Sequence, residues 1–242
     1  MRSFTTASFA LATIPYCLSF SPLIGLKRST LKNELIQAAA AKDEGKVISL
    51  VEELSALNPT EFPTAGLDGY GGISSTAAPL NGEWKLLFTN AKDAEAPART
   101  EKNEETINGD VDDKKIAEGV KIETGQMIDA GKGECLNFIK AEGDKRPFDK
   151  LEITIQMTPL SKTRVRLDFK NGRALNERAP LSFLKDFRFN FPPALVGDAL
   201  ARLKGKDPNV EPPAYFDVLY IDQQLRAHQT GEGKVFVQIR GP

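Results

Sequence analysis

From residue 82 onward the chain repeatedly alternates apolar and polar side chains with a period of two. No other sequence feature limits its fold more. Such alternation lays one apolar row on one face of a β-strand and a wet row on the other. The first run is Asn81-Gly82-Glu83-Trp84-Lys85-Leu86-Leu87-Phe88-Thr89-Asn90, which starts on a turn-forming Asn-Gly and holds the single Trp of the chain. Trp84, Leu86 and Phe88 fall on one side, and Lys85, Leu87 and Thr89 on the other. From Gly119 the pattern returns, with Val120, Ile122 and Thr124 opposed to Lys121 and Glu123. Residues 134–140 set Leu136 and Phe138 on one face. The plainest hairpin covers 150–170. Leu151, Ile153, Ile155 and Met157 alternate with Glu152, Thr154 and Gln156. After Pro159-Leu160-Ser161, Val165, Leu167 and Phe169 alternate with Arg164, Arg166, Asp168 and Lys170.

Phe187, Phe189 and Phe191 repeat the theme against Arg188 and Asn190. Tyr215–Ile221, Leu225–Gln229 and Lys234–Ile239 then make closing strands, divided by Asp222-Gln223-Gln224 and by a Gly231-Glu232-Gly233 turn. Some seven or eight strands without helix–strand alternation predict a mainly β fold, a closed antiparallel barrel rather than a sandwich. A Trp at the first inward position of the first strand suits the plug of a small barrel's closed end. Taken alone, a lone buried Trp is more often core filling than a functional residue.

Helices precede the strands. Ser29 or Thr30 caps one that runs to about Lys42 with Leu31, Leu35, Ile36 and a run of alanines, and Gly45 breaks it. Val47, Leu50, Val51, Leu54 and Leu57 make the single apolar stripe of a second, which Asn58-Pro59 stops. Such a hairpin packs on the outside of a barrel or across one end. Residues 60–79, rich in Gly, Pro, Ser and Thr, read as a linker. Pro193 starts a short amphipathic helix over about 193–204, with Leu195, Val196, Ala199, Leu200 and Leu203, ended by Gly205.

The first thirty residues read as an address. Met1-Arg2-Ser3 followed by apolar Phe4–Ile14 suits a signal peptide and is too short to span a membrane. Cys17 and Ser19 stand at −3 and −1 of a cleavage before Phe20. Ser21, Lys27, Arg28, Ser29, Thr30 and Lys32 then form a basic, hydroxyl-rich stretch with no acid before Glu34, as in a transit peptide. The pair resembles the bipartite presequence of algae whose plastids lie inside the endomembrane system; the alternative is a plain secretory signal. The expected division is a signal peptide over 1–19, a plastid transit-like segment over 20–30, helices over 31–59 and the barrel over 80–242.

A net charge of −1 gives no electrostatic reason to expect nucleic acid as a partner. Once residues 1–19 are removed only Cys135 remains, so no intrachain disulfide is expected, which suits a reducing compartment. Residues 91–118 hold nine acids against five bases, without the 1,3,5 spacing of a calcium loop, and read as a solvated loop and not a metal site. Residues 160–188 hold eight bases against three acids. Beside phenylalanines and an amphipathic helix they mark either a lipid-touching surface or ordinary solvated charge. Candidates for chemistry are thin. His228 is the only histidine, there is no G-x-S-x-G elbow, and no second His or Cys offers a metal set. His228 reads as a surface or hydrogen-bonded residue, Cys135 as a small buried hydrophobe.

Three segments together resemble the plastid lipid-associated proteins, the PAP/fibrillin family. They are the helix end Leu57-Asn58-Pro59-Thr60 with Pro63; the strand Leu80-Asn81-Gly82-Glu83-Trp84-Lys85-Leu86-Leu87-Phe88-Thr89; and Tyr220-Ile221-Asp222-Gln223-Gln224-Leu225-Arg226 with Gly231, Gly233 and Val235-Phe236-Val237. The strand is similar to the family's L-x-G-x-W-x-L-L-Y-T opening, and the last segment to its closing Y-x-D-x-x-L-R run. The acidic 91–118 loop and the long Phe/Pro-rich 181–213 segment depart from that pattern. The resemblance implies a lipocalin-like barrel in the plastid that binds or shields lipophilic molecules and associates with plastoglobules or thylakoids. It does not identify the ligand. Gly82, Trp84, Asp222, Arg226 and Gly231 are the motif residues it marks as structural, with Asp222 and Arg226 read as a charge-assisted pair closing the turn.

By alternation, Trp84, Leu86, Phe88, Phe138, Ile153, Ile155, Val165, Leu167 and Phe169 line the interior, a lining suited to an isoprenoid, quinone or acyl chain. Neither a cofactor nor catalysis is expected. The competing readings are a barrel enzyme using Asp222, Arg226 or His228 on a lipophilic substrate, and a lipid-droplet coat that docks through 183–203 with no internal ligand.

Overall fold

The computed structural model describes residues 22–91, 120–203, 205, 207–210 and 212–241. The expected signal peptide of 1–19, the first two residues (20 and 21) of the transit-like segment and nearly all of the acidic 91–118 stretch lie outside these residues. Helix α1 (Pro22–Ala40) begins inside the basic stretch that reads as transit-like. Helix α2 (Glu44–Ser55) is capped by Asp43, whose Oδ1 accepts the Lys46 N–H at 3.1 Å. The apolar stripes of the two helices merge into one buried cluster with Phe88, Tyr220, Leu225, Ala227, Val235 and Val237. Ala38 and Ala39 of α1, both in this cluster, leave little bulk between helix and sheet.

Among the described residues nine antiparallel strands follow: β1 (Gly82–Thr89), β2 (Lys121–Asp129), β3 (Glu134–Glu142), β4 (Lys150–Pro159), β5 (Arg164–Leu175), β6 (Asp186–Asn190), β7 (Tyr215–Ile221), β8 (Leu225–Thr230) and β9 (Val235–Arg240). Eight close a barrel in the order β1-β2-β3-β4-β5-β7-β8-β9, with β9 returning to β1. The sixth stands outside the ring. β5 pairs through Arg164–Arg166 with β7 and through Asn171–Leu175 with β6, so β6 extends the wall as a lip. Between β6 and its neighbours lie the single turn α3 (Ser182–Lys185) and α4 (Ala194–Leu203). The latter is tied to the outside of β5 by Arg166 to Asp198 at 2.8 Å.

The 60–79 segment is not a free linker. It folds into two 3-10 turns, Leu67–Gly72 and Ser75–Ala77, that plug the end of the barrel where β1 starts. Thr64, Leu67 and Leu80 are fully buried there, Asp68 N–H reaches Ala130 O at 2.8 Å, and Thr64 Oγ1 donates to Ser161 O at 2.7 Å. Small residues in this stretch allow the tight turns that a plug needs.

Two wall positions face opposite to the alternation reading. A bulge between Leu86 and Phe88 shifts β1 by one residue, so Phe88 leaves the barrel and joins the helices. Phe138 also faces outward. Cys135 belongs to the interior cluster and Phe138, three residues on, has the opposite parity. Its ring lies beside Lys140 and Lys150 and covers Gly125, where a Cβ would come within 2.6 Å of the ring.

Candidate functional site

Trp84 is the floor of the barrel. It is fully buried, its Nε1–H donates to Leu80 O at 2.9 Å, and it shares one buried cluster with Leu67, Leu80, Ile128, Met157, Val165, Val218 and Ile221. The Arg240 guanidinium sits 4.2 Å from the ring centroid. It donates to the carbonyls of Gln223 (2.9 Å), Asn81 (2.5 Å) and Pro79 (2.9 Å), latching the last strand to the plug. Gly82 has φ +110°, and a Cβ there would lie 2.8 Å from Arg240 Nη1, so the latch requires glycine.

The other motif residues brace the same end. Asp222 does not pair with Arg226. Its carboxylate accepts from Lys32 Nζ (2.7 Å), the Tyr220 hydroxyl (2.7 Å) and the Gln224 and Leu225 amides (2.8 Å each), which fixes the β7–β8 turn and holds α1 to it. Burial alone would push this carboxyl up, but those four donors outweigh it and hold it below the usual carboxylate range. Burial, then the bond to Asp222, pushes the Tyr220 phenol well up. Asn58 Oδ1 accepts from Ile221 N (3.1 Å) and Thr60 Oγ1 donates to Ile221 O (2.7 Å), so the end of the helical hairpin is clamped to β7. At Gly231 a Cβ would meet the Tyr215 ring at 2.5 Å.

Arg226 instead points into the barrel. It is fully buried, with its guanidinium 5.0 Å from the Trp84 centroid, opposed to no carboxylate among the described residues. Nε donates to Gln238 Oε1 at 2.9 Å, and Nη2 reaches the side-chain oxygens of Gln238 and Gln126. Nη1 has no partner. Burial lowers its pKa to about 9, which still leaves it charged at neutral pH. A buried charge balanced only by neutral amides and a ring costs on the order of several kcal/mol.

His228, two residues along β8, faces the same way. It is 3 % exposed, stacked on Phe236 (5.1 Å) and tilted on Phe216 (4.7 Å), with Nδ1 unpartnered. Burial first, and the Arg226 charge second, hold it well below the ordinary histidine range, so it is a neutral imidazole. Of the surface or hydrogen-bonded residue that the sequence predicts, the surface reading fails, and Nδ1 has no hydrogen bond. Cys135 is buried with its thiol pushed up to about 12, hence protonated and unreactive.

Above this polar layer the wall is apolar. Ile153, Ile155 and Val165 belong to the interior cluster, and Leu167 and Phe169 pack on it. Leu86, paired with Gln238 ahead of the bulge, shares their side. From Phe169 a chain of rings leads outward: Phe191 at 5.5 Å, Phe189 a further 5.4 Å on, and Phe187 at 6.1 Å from that, on the lip and half-exposed. Phe189 lies over Gly172, which pairs with the inward Ile153 and leaves room for the ring. Ile139, Leu151, Leu167 and Phe169 remain only half-buried although the register turns them inward. A filled core would bury them, so this end of the barrel is open.

A solvent-open cleft of about 880 Å³ lies outside the barrel, between α1 and the β7–β8 turn. It is the seam between hairpin and barrel, and Lys32, Asp222 and Arg240 on its wall are already engaged. The unsatisfied groups lie inside, which makes the interior the candidate site. No cluster of three or more metal-ligating side chains occurs among the described residues.

The PAP_fibrillin family model matches residues 29–239, from α1 to β9, taking in hairpin, plug and barrel as one unit. The chain belongs to the PAP/fibrillin family. This is a plastid-associated, lipid-associated family, generally structural and non-enzymatic. No curated protein and no solved structure matches the chain. The three segments that carry the resemblance thus have separate mechanical roles: clamp, floor and turn. Sequence reasoning places Arg226 in the turn and misses Gln126 and Gln238; it sets Phe187, Phe189 and Phe191 on one strand face without joining them to Phe169 inside the barrel. The parity of β8 holds the signal, because Arg226 and His228 alternate with Leu225 and Ala227. The apolar pair is buried too, under the helices, so polarity does not mark which side is inside.

Proposed function

We propose that this PAP/fibrillin protein is a non-enzymatic carrier that shelters a lipophilic molecule in the open half of its barrel and works at a lipid surface in the plastid. The observation that carries the reading is the inward but half-buried wall of Ile139, Leu151, Leu167 and Phe169, continued by the aromatic ladder to the lip. An apolar wall left open to water is stabilised by a chain that covers it. Isoprenoid, quinone and acyl chains all fit such a wall.

The lip also supports an encounter with plastoglobules or thylakoids. Phe183 (65 %) and Phe187 (50 %) are exposed at the lip, in the same stretch as Lys185 and Arg188, and Leu195 (77 %) and Leu203 (84 %) are exposed on α4. Apolar side chains flanked by cations are what an anionic lipid surface attracts. On this reading the N-terminal address delivers the chain by a signal peptide and then a transit segment. A fluorescent reporter fused to residues 1–35 tests that step: staining of the secretory pathway without the plastid refutes it.

The carrier itself is tested by purifying the protein from its own cells and extracting bound lipid for mass spectrometry. A stoichiometric lipophile is expected. Its absence refutes the carrier and leaves the coat, in which only the lip meets lipid. Turnover of a bound lipid, abolished by His228→Ala or Asp222→Asn, refutes the non-enzymatic part.

A further inference from the structure

A buried cation with no counter-charge is the least ordinary feature of this barrel. The structural need for a guanidinium on Trp84 is already met by Arg240, whose donors close the barrel onto three backbone carbonyls. Arg226 is a second guanidinium on the same ring, and the nearby Arg240 charge makes its ionised form less favourable. Its acceptors, Gln126 and Gln238, are neutral, and the neighbouring Cys135 thiol stays protonated. Both hydrogens of Nη1 therefore lack an acceptor. One inward position further along β8, His228 Nδ1 lacks a partner too. Two buried polar side chains thus sit between the Trp84 floor and the apolar wall, each with one nitrogen that no described residue satisfies.

We propose that Arg226 is the anchor for the carboxylate of a single-chain lipid acid. The head is held at Nη1 near the floor, and the tail runs along Leu167 and Phe169 towards Phe191 and Phe189. The assignment rests on the carrier reading and adds the headgroup to it. A monoanion supplies the charge that Arg226 lacks, and a guanidinium nitrogen with two free hydrogens suits a carboxylate oxygen. His228, as a neutral imidazole, adds one hydrogen bond and no charge. A phosphate monoester brings nearly two charges and three terminal oxygens to a single cation, and a quinone or isoprenoid hydrocarbon brings none. Charge matching therefore favours the acid.

The experiment titrates the full chain at pH 8 with hexadecanoic acid, hexadecanol and hexadecyl phosphate, reading the emission of the single Trp that lies under Arg226. The acid is expected to bind at least tenfold more tightly than the alcohol. Arg226→Met should abolish the acid's preference over the alcohol, and Arg226→Lys should keep part of it. Should Arg226→Met fail to fold, the acid-to-alcohol ratio of the unaltered protein decides alone. Equal binding of acid and alcohol overturns the anchor and keeps the carrier. Binding of none of the three overturns the carrier as well. Tighter binding of the phosphate overturns the carboxylate assignment.

Discussion

Trp84→Phe tests the barrel floor, because the change keeps an aromatic ring and removes three definable things. The Nε1–H bond to Leu80 O, 2.9 Å in a fully buried setting, is lost and strands a carbonyl, at about 1 kcal/mol. The smaller ring leaves roughly 40 Å³ of void, and at about 24 cal/mol per Å³ that is ~1 kcal/mol. Two guanidinium contacts, at 4.2 and 5.0 Å, move from an indole to a weaker benzene face, at about 0.5 kcal/mol together. The sum is ~2.5 kcal/mol. For a chain of this length it lowers the melting temperature by about 5–10 °C. Far-UV circular dichroism through heat and urea unfolding measures it without relying on the lost indole. A loss below about 1 kcal/mol would refute the account of Trp84 as a hydrogen-bonded, cation-flanked floor.

Other residues make sharper distinctions. Phe169→Ala is expected to weaken lipophile binding about tenfold or more. Phe138→Ala, outside the barrel over Gly125, should cost stability but leave binding unchanged; titration with a fluorescent lipid separates the two. The Asp222 carboxyl is held low in the folded state, so its stabilising effect is present above the unfolded carboxyl pKa near 4 and fades as pH falls through its lower folded value. Asp222→Asn should therefore lower stability at pH 7 and flatten the acid limb, as read by urea midpoints from pH 7 to pH 2. In a Cys17→Ser background, Cys135 should resist a thiol-reactive dye at pH 8 for as long as the protein is folded and react once urea opens it. Prompt labelling of the native protein contradicts its burial.

Much of the architecture can be read in one dimension because β-strand and helix periods are local properties of the chain. The hairpin 150–170, the strand Tyr215–Ile221 and the stripe from Val47 to Leu54 stand in the structure close to where their periodicity puts them. The family, too, was legible, since Gly82, Trp84 and Asp222 serve turns and latches whose partners lie at the same closed end. What periodicity cannot carry is which face is the inside. Where helices cover the barrel, β1, β7, β8 and β9 are buried on both faces, and alternation loses its meaning. A one-residue bulge then sends Phe88 outward, and parity alone sends Phe138 after it. Only the closed barrel brings Arg226, Gln126 and Gln238 together from three strands and leaves Nη1 without a partner. The sequence by itself determined the strands, the hairpin and the family, because those depend on neighbours along the chain. The tertiary structure decided that a charged arginine, rather than an apolar lining alone, faces the barrel interior. That outcome depends on which groups the barrel's closure leaves unsatisfied.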